Sequence, residues 1–534
     1  MHGMRWMMGA LGALGLAAGY VVGCSNEADD CDRTLTCSKY LTTTGHDGGP
    51  DGDGGNPSCD GDPTTDPELV RDECGAFVSA SAAPDGNGTK AMPFATFADA
   101  AAAGAKRVFA CAGAYTETVQ VTFSGGVDVY GGFTDCAASW TWDASSQAEI
   151  ATVADTPGVV LDGGANHLEN VRVTAPAAVM PGASSIAMLV NGGSLAMVNG
   201  VLTARDAKDG DAGATLGDDS TLDGDTGATG ADTCSPGGTH SGAMGKTKMC
   251  PDGTSSTGGS GGDGGDAASN PAGNGTDGSA APMASGMPDG KGGNGEGQNA
   301  SAVCGTGNAG AAGAVGSSGD GGTSPGVISS TGYAGAPGAD GGIGKPGQGG
   351  GGGGGAKGIA SGTCMGTPVN NLAGASGGAG GIGGCGGAVG GGGKPGGSSI
   401  ALVVLNADVT LTGVALVAGK SGAGGPGGSG QNGGKGGPGG ANGAGGPAAD
   451  ACPGGKGGKG GSGGPGGGGQ GGHSLGIAFK GTKAPGGGTF QIDMTANGKG
   501  GAGGVNNTTA DMGKGADGLA QECWDFGTNK ACGQ

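Results

Sequence analysis

The chain is expected to be all-β, built from short strands stacked turn upon turn, with glycine-rich segments hung between the turns. Three observations carry this expectation. Residues 185–204, SIAMLVNGGSLAMVNGVLTA, return without a gap at 399–418, SIALVVLNADVTLTGVALVA, and a looser third copy runs over 474–496. Within each copy apolar residues alternate with small or polar ones (Leu195, Met197, Val201; Val409, Leu411), the period of a strand with one buried face. Each copy then gives way to glycine, as expected of strands that stack in space although inserts part them in sequence.

Composition narrows the class. With 142 glycines and 3% aromatic residues in 534 positions, the core must come from a minority of the chain. A collagen triple helix is excluded because the Gly-X-Y triplets break constantly and proline is sparse, at 25 residues. The balance of 25 basic to 46 acidic residues, net −21, disfavours nucleic acid and anionic lipid surfaces as partners, and solubility is what it most plainly provides.

Taken in order, the chain opens with Arg5 before an apolar, glycine-rich run at 6–22 that ends Val21-Val22-Gly23-Cys24. The run has the length of a signal-peptide apolar region plus its cleavage site, which argues against a retained transmembrane helix. Val-Val-Gly-Cys resembles a bacterial lipobox. The resemblance implies a signal peptide over 1–23, diacylation of the Cys24 thiol, acylation of the new N-terminus, and, with Ser25 rather than Asp next, anchoring in the outer membrane with a periplasmic or surface-exposed body. An ordinary secretory signal that leaves Cys24 to pair is the alternative.

Removing Cys24 from the 15 cysteines leaves an even 14, suited to disulfides in an oxidising compartment. No pair of CxxC motifs occurs, so zinc is not expected. The disulfide candidates are Cys31, Cys37, Cys59, Cys74, Cys111 and Cys136 near the N-terminus, Cys234, Cys250, Cys304, Cys364 and Cys385 in a first glycine-rich segment, Cys452 in a second, and Cys523 and Cys532 at the C-terminal end. If all pair within one chain, odd counts force a bond out of each glycine-rich segment. The simplest solution joins Cys452 to one of the five in the first.

Residues 24–72 are polar and acidic, too poor in apolar groups to offset ordering, and are expected to form a flexible tether. The Asp51, Asp53 and Asn56 oxygens could meet a calcium ion, but EF-hand spacing is missing. The folded part is expected from 73. Phe94, Phe97, Ala98 and Ala101 fall on one helical face and predict a short amphipathic helix that covers the first turn and its open strand edge. With Asp85-Gly-Asn-Gly-Thr89, Pro93-Phe94-Ala95-Thr96-Phe97 and the stretch 108–117, VFACAGAYTE, this region resembles the entry to right-handed parallel β-helix proteins of the pectate-lyase-like superfamily. The resemblance implies a right-handed parallel β-helix, with turns at 119–123, 127–133, 159–161 and 168–174 before the repeated stretch, Gly-Gly and Asn-Gly pairs marking the bends. The gapless repeat predicts that 185–204 and 399–418 are consecutive turns. The expected division is therefore a tether (24–72), an N-terminal β part (73–204), a glycine-rich excursion (205–398), one turn (399–419), a second excursion (420–472), and C-terminal turns with an end cap (473–534).

Glycine-rich chain gains little by burial, so disorder is one reading of the excursions. The other is a packed bundle. GGAGGIGGCGGAVGGGG at 377–393 and GGPGGSGQNGGKGGPGG at 424–440 place glycine at nearly every inward position of a three-residue turn, which lets extended strands pack backbone to backbone, and six cysteines lie among them. These tracts resemble in composition the repeats of mycobacterial PE-PGRS proteins and the polyglycine-II bundles of some phage tail adhesins and arthropod antifreeze proteins, although a PE domain is absent.

Candidate chemistry is thin. A polygalacturonase-like hydrolase would want paired aspartates with His-Gly and Arg-Ile-Lys motifs, and only Gly217-Asp218-Asp219 matches. A lyase would need an arginine base beside calcium-holding acids, and Arg107 and Arg172 on the β part sit in no aspartate cluster in sequence. The histidines, His2, His46, His167, His240 and His473, are scattered, and Trp140 with Trp142 is the one aromatic pair that could hold a sugar or simply pack. Gly261-Gly-Asp-Gly-Gly-Asp266 begins a calcium nonapeptide repeat but has no tandem copy, and no phosphate loop follows a strand. No catalytic, cofactor or metal site is expected. The sequence points to a non-enzymatic, surface-anchored lipoprotein for display, adhesion or envelope structure, with the membrane and extracellular polysaccharide or another cell surface as partners. The alternative is a polysaccharide lyase or hydrolase on the same β scaffold.

Overall fold

The computed structural model describes residues 58–236, 240–266, 273–282, 289–298, 302–505 and 513–533. The expected signal peptide, Cys24, Cys31, Cys37, His2, His46 and the Asp51, Asp53 and Asn56 group lie outside the described residues. The described chain is all-β and mostly parallel, with one short α-helix.

Strands pair in three parallel ladders. One contains Ala76–Val78, Arg107–Cys111, Asp128–Thr134, Ala165–Glu169, Ser194–Val198 and the first half of Asp408–Ala418. A second contains Gly113–Thr116, Ala148–Ala151, Val171–Ala175, Val201–Ala204 and the second half of Asp408–Ala418, so that this long strand joins the two ladders in one large sheet. The third is a separate sheet of Val121–Ser124, Val159–Asp162, Ser185–Asn191, Ser399–Leu405, Ser474–Lys480 and Ala520–Asp525. The two gapless copies lie side by side in all three ladders, with Ser185 opposite Ser399, Leu195 opposite Val409 and Leu202 opposite Leu416. Equivalent side chains therefore stack: Met188 on Leu402 and Met197 on Leu411, all in the main core. Bends between ladders use residues that tolerate left-handed backbone, the pairs Gly163-Gly164 (φ +74° and +70°) and Gly192-Gly193 (φ +73° and +71°). Asn170 and Asn199 hold equivalent corners, and Asn199 Nδ2 donates to Asn170 Oδ1 at 2.6 Å.

The expected helix is present but short, Phe97–Ala102. Thr96 caps it by accepting from Asp99 N at 3.1 Å, and the Glu117 carboxylate accepts from Phe97 N and Ala98 N at 2.8 and 3.2 Å. Phe97 is buried edge-on against Tyr115, ring centroids 4.9 Å apart. Phe94 lies before the helix, in a bridge with Val78. Residues 58–72, expected to belong to the tether, pack onto the body. Leu69 and Val70 are buried, Cys59 is bonded to Cys74, and Val70 and Cys74 share a cluster with Phe77, Phe109, Tyr130, Phe133 and Trp140 on the outer side of the first ladder. That face is too aromatic to leave in water, and the acidic segment covers it with the few apolar residues it has.

One pattern departs from the one-faced strand. Ser399–Leu405 is buried at every position and Ser185–Asn191 at all but its last. Their outward side chains, Ile186, Leu189, Ile400 and Val403, are covered by Ile328 and Tyr333 from the hairpin Val327–Ser329/Gly332–Ala334, which comes from the middle of residues 205–398.

The glycine-rich residues are extended strands that bond to one another with a three-residue repeat. Gly380 N donates to Gly259 O, Gly381 N to Gly455 O and Ile382 N to Asp225 O, at 2.8, 2.9 and 3.0 Å, so three successive residues address three different strands. Three residues on, Gly384 N addresses Gly458 O, Cys385 N addresses Leu222 O, and the pattern continues. Strand 422–443 runs antiparallel to 376–397, with Gly425 N on Lys394 O, Gly428 N on Gly391 O, Gly434 N on Cys385 O and Gly437 N on Ile382 O, all at 2.8–2.9 Å. Both glycine-rich stretches are thus tied together, and Cys304 is bonded to Cys452 across them, Cα atoms 5.8 Å apart.

Side chains cannot enter these contacts. A Cβ on Gly384 would run into the Gly434 carbonyl and one on Gly437 into the Asp225 carbonyl, whereas Gly217 faces open space. Gly→Ala at an unstrained site normally stabilises by about 0.4–1 kcal/mol through the unfolded state. Gly384→Ala is predicted to reverse that sign and cost about 1–3 kcal/mol by overpacking, while Gly217→Ala does not destabilise. Urea midpoints of the two variants check this, and equal midpoints would remove the close-packing account.

Candidate functional site

Three places bring chemistry-bearing side chains together, and each is built by a different part of the fold. The first is the outer side of the first ladder. Parallel register sets Arg107 beside Asp128, Asp128 beside His167, and Tyr130 beside Glu169. Arg107 reaches Asp128 Oδ2 at 3.6 Å and also donates to the Cys59 and Gly61 carbonyls at 2.6 and 3.3 Å. His167 Nε2 lies 3.2 Å from Glu169 Oε2, and Tyr130 contacts the imidazole at a ring distance of 5.3 Å. Burial, reinforced by Asp128, pushes the Tyr130 hydroxyl up to about 12 although Arg107 acts against it. Sequence spacing hid this arginine–carboxylate–histidine group because its members come from three strands.

Its chemistry is limited by how well each member is bound. A base must be free to take a proton, and the Arg107 guanidinium is spent on one carboxylate and two carbonyls. Arg172 lies apart, 3.3 Å from Gln147 Oε1. Trp140 is buried at 2% exposure against Phe77 and Phe133, so it packs; Trp142 is half-buried and edge-on to Tyr130 at 6.4 Å. The Trp140–Trp142 pair therefore does not present two rings to solvent.

The second place holds Asp218 and Asp219. The strand 207–233 runs parallel to 420–444 but leaves it around the 3-10 turn Ser220–Leu222, where Leu222 inserts beside Cys250 and Cys385. A groove of about 440 Å³ results, touched by Asp218, Asp219, Asp223, Asn432, Lys435 and Lys459. Asp218 accepts from Asn432 Nδ2 at 2.9 Å and Asp223 from Lys435 N at 2.7 Å. The hydroxyl and N–H of Thr221 hold Asp219 below the ordinary carboxylate range. A glycosidase acid needs the opposite shift.

The same use of carboxylates recurs along this edge. Asp206 accepts from Lys420 N at 2.8 Å, Asp209 from Ala423 N at 2.6 Å, Thr215 Oγ1 from Ser429 N at 2.9 Å and Asp232 from Ala444 N at 2.6 Å. Asp263, in the partial nonapeptide match, accepts from Gly242 N at 2.6 Å. These acids satisfy main-chain donors at the rim of the bundle. Among the described residues no group of three or more His, Cys, Asp or Glu is placed to hold a metal ion.

The third place is a recess of about 290 Å³ where the bundle meets the third ladder, lined by His473, Asp517, Trp524 and Asn529 among others. His473 is fully buried, accepts from Leu519 N at Nδ1 (2.9 Å) and faces the Pro325 carbonyl at Nε2 (2.7 Å), which requires the tautomer protonated at Nε2. It is a wall, with both nitrogens used. His240 is likewise enclosed, between the Gly374 and Ser235 carbonyls at 3.0 and 3.1 Å.

The remaining cysteines among the described residues are paired: Cys111–Cys136, Cys234–Cys364, Cys250–Cys385 and Cys523–Cys532. Two of these bonds close within the first glycine-rich segment and the bond to Cys452 leaves it, the parity the count requires.

Burial holds the His473 imidazole below its ordinary value of 6.5, with the Pro325 contact acting weakly the other way. Below that value the unfolded chain takes up a proton that folded His473 refuses. Stability present above it is therefore lost progressively as the pH falls toward the folded value. His473→Gln is predicted to flatten this loss between neutral and mildly acidic pH, before the carboxylates titrate. Urea midpoints across that interval check it, and identical slopes in wild type and variant would refute it.

No protein-family model, no curated protein and no solved structure matches the chain.

Proposed function

We propose that the protein is a non-enzymatic lipoprotein anchored through Cys24 in the outer membrane. In this reading a right-handed parallel β-helix, begun at about residue 73 and continued through 399–419 and 473–534, carries residues 205–398 and 420–472 as a polyglycine-II bundle. The bundle is held out for display, adhesion or envelope structure, toward extracellular polysaccharide or another cell surface. The supporting observation is the three-residue bonding that runs through both glycine-rich stretches and onto the strands beside them, with Cys304–Cys452 across it. A chain that spends this many residues on a rigid body whose outward positions are small and polar favours presentation of a surface over enclosure of a substrate. Of the carboxylates that a polysaccharide lyase or hydrolase would use, Asp218 accepts from the Asn432 side-chain amide, Asp223 from the Lys435 main-chain N–H, and Asp128 is ion-paired with Arg107.

Two measurements test it. Cys24→Ala is predicted to abolish metabolic labelling with a fatty acid and to leave unprocessed precursor in the envelope; equal labelling of the variant rules out the anchor. Purified mature protein is predicted to bind cells or polysaccharide without shortening it. Release of reducing ends or unsaturated sugar products from acidic polysaccharides would instead establish the enzyme reading.

A further inference from the structure

The outward apolar row of the third ladder ends at a tryptophan. Val160, Leu189, Val403, Ala478 and Trp524 stand side by side on adjoining strands and share one cluster. Trp524, the last of them, stays half-buried. Its Nε1 is enclosed without a partner, so the part of the indole that meets solvent is carbon. The strand 513–519 comes alongside and runs toward the ladder: Gly471 N donates to Ala516 O and Ser474 N to Leu519 O, at 2.9 and 2.7 Å, with the Gly513 end farthest away. The recess of about 290 Å³ is lined by both, with Pro325 and Leu519 as further apolar wall and His473 closing it. His473 is fixed there by edge-on packing with Tyr333 and Phe526, ring centroids 5.2 and 5.9 Å away.

Polar groups around this apolar wall keep hydrogen-bonding capacity. Gln470 lines the recess at 2% exposure; its Oε1 accepts from Ala336 N at 3.1 Å, and its Nε2 has no partner among the described residues. A buried donor left unpaired is costly unless something in the recess accepts from it. Thr323 and Asn529 line the same recess from exposed positions, and their side chains make no hydrogen bond among the described residues. Asp517 accepts from Gly500 N at 2.9 Å and from Lys499 Nζ at 3.2 Å, which leaves lone pairs on its two oxygens for a further donor.

We propose that this recess binds one residue of a neutral sugar and is the glycan contact of the adhesive body. The inference rests on the adhesion reading above and gives it a location. A pyranose ring carries a carbon-bound face and a rim of hydroxyls, each both donor and acceptor. The carbon surfaces of Trp524, Leu519 and Pro325 suit the face. The Gln470 amide offers a donor, Asp517 an acceptor, and Thr323 and Asn529 both, which suits the rim. An apolar wall with a few convergent polar groups is the general form of a small-molecule site, and at about 290 Å³ this one is at the small end of the range of about 300–1,000 Å³, room for one ring and not for a chain laid along a cleft. Asp517 at the recess and a net charge of −21 disfavour an acidic sugar.

The test uses the full mature protein and the methyl glycosides of glucose, galactose, mannose and N-acetylglucosamine, with glucuronic acid as the charged control. At least one neutral glycoside is expected to bind saturably by titration calorimetry, and glucuronic acid at least about tenfold more weakly. Thr323→Trp, which crowds the recess from an exposed position, and Asn529→Gly, which keeps the left-handed backbone at φ +56°, are expected to weaken binding by a similar factor at unchanged melting temperature. Absence of saturable binding, equal binding of glucuronic acid, or wild-type binding by both variants overturns the proposal. Attachment to cells and to polysaccharide is measured beside it. Attachment by wild type and Thr323→Trp alike, with no glycoside bound, removes this site and leaves the adhesion reading standing; a wild-type protein that binds a glycoside at this recess but attaches to neither keeps the site and removes that reading.

Discussion

Half of this molecule depends on one contact: a main-chain N–H on a main-chain carbonyl between extended strands, repeated every third residue. Each such bond contributes about 0.5–1.5 kcal/mol net, and glycine gives up more conformational freedom on ordering than any other residue. The arrangement therefore works only if the bonds are dense and the neighbours close enough to exclude water. Glycine supplies the closeness, since a Cβ at Gly384 or Gly437 would meet a carbonyl of the next strand. The same requirement makes the body intolerant of side chains inside and permissive outside, where alanine, serine, asparagine and lysine appear.

The β part works by the opposite means. Its ladders stack Met188 on Leu402 and Leu202 on Leu416, and burial of apolar surface holds them. The two halves meet where Ile328 and Tyr333, sent out from the glycine-rich segment, cover Ile186, Leu189, Ile400 and Val403. Each half thereby protects the other: the hairpin closes an apolar sheet face, and the sheet gives the glycine strands 207–233 and 420–444 a fixed starting register at Ala204 opposite Ala418. Disulfides at Cys234–Cys364, Cys250–Cys385 and Cys304–Cys452 close long loops in the half with little apolar surface to bury, where a constraint on the unfolded chain counts most.

The acidic charge takes on a structural meaning beyond solubility. Asp206, Asp209, Asp223 and Asp232 stand where a neighbouring strand would otherwise have to provide carbonyls, and each accepts from a main-chain N–H of the adjoining strand. Carboxylates at a rim both satisfy donors and repel further strands, so a glycine-rich body can stay discrete instead of growing at its edges. The same engagement removes Asp223, and a bond from the Asn432 side-chain amide removes Asp218, from the pool of groups that could act on a substrate.

By itself the sequence determined what depends on local pattern and on counting. The gapless copy at 399–418 set the register between distant strands, because identical alternation can stack in only one phase without turning its apolar face outward. Glycine spacing at 377–393 and 424–440 announced three-residue strands, and odd cysteine counts required a bond out of each glycine-rich stretch, most simply one between them. The tertiary structure decided what depends on neighbours remote in the chain. Burial of Ser185–Asn191 and Ser399–Leu405 on both sides comes from a hairpin remote in the chain from both, and the ordering of residues 58–72 comes from an aromatic face that exists only once Phe77, Phe109 and Trp140 are assembled. The grouping of Arg107 with Asp128 and His167 needs three parallel strands in register, and no spacing in one strand encodes it. Which main-chain donors are capped by carboxylates follows from where each strand lies beside its neighbour, a quantity set by packing and invisible to a repeat that reads the same on every side.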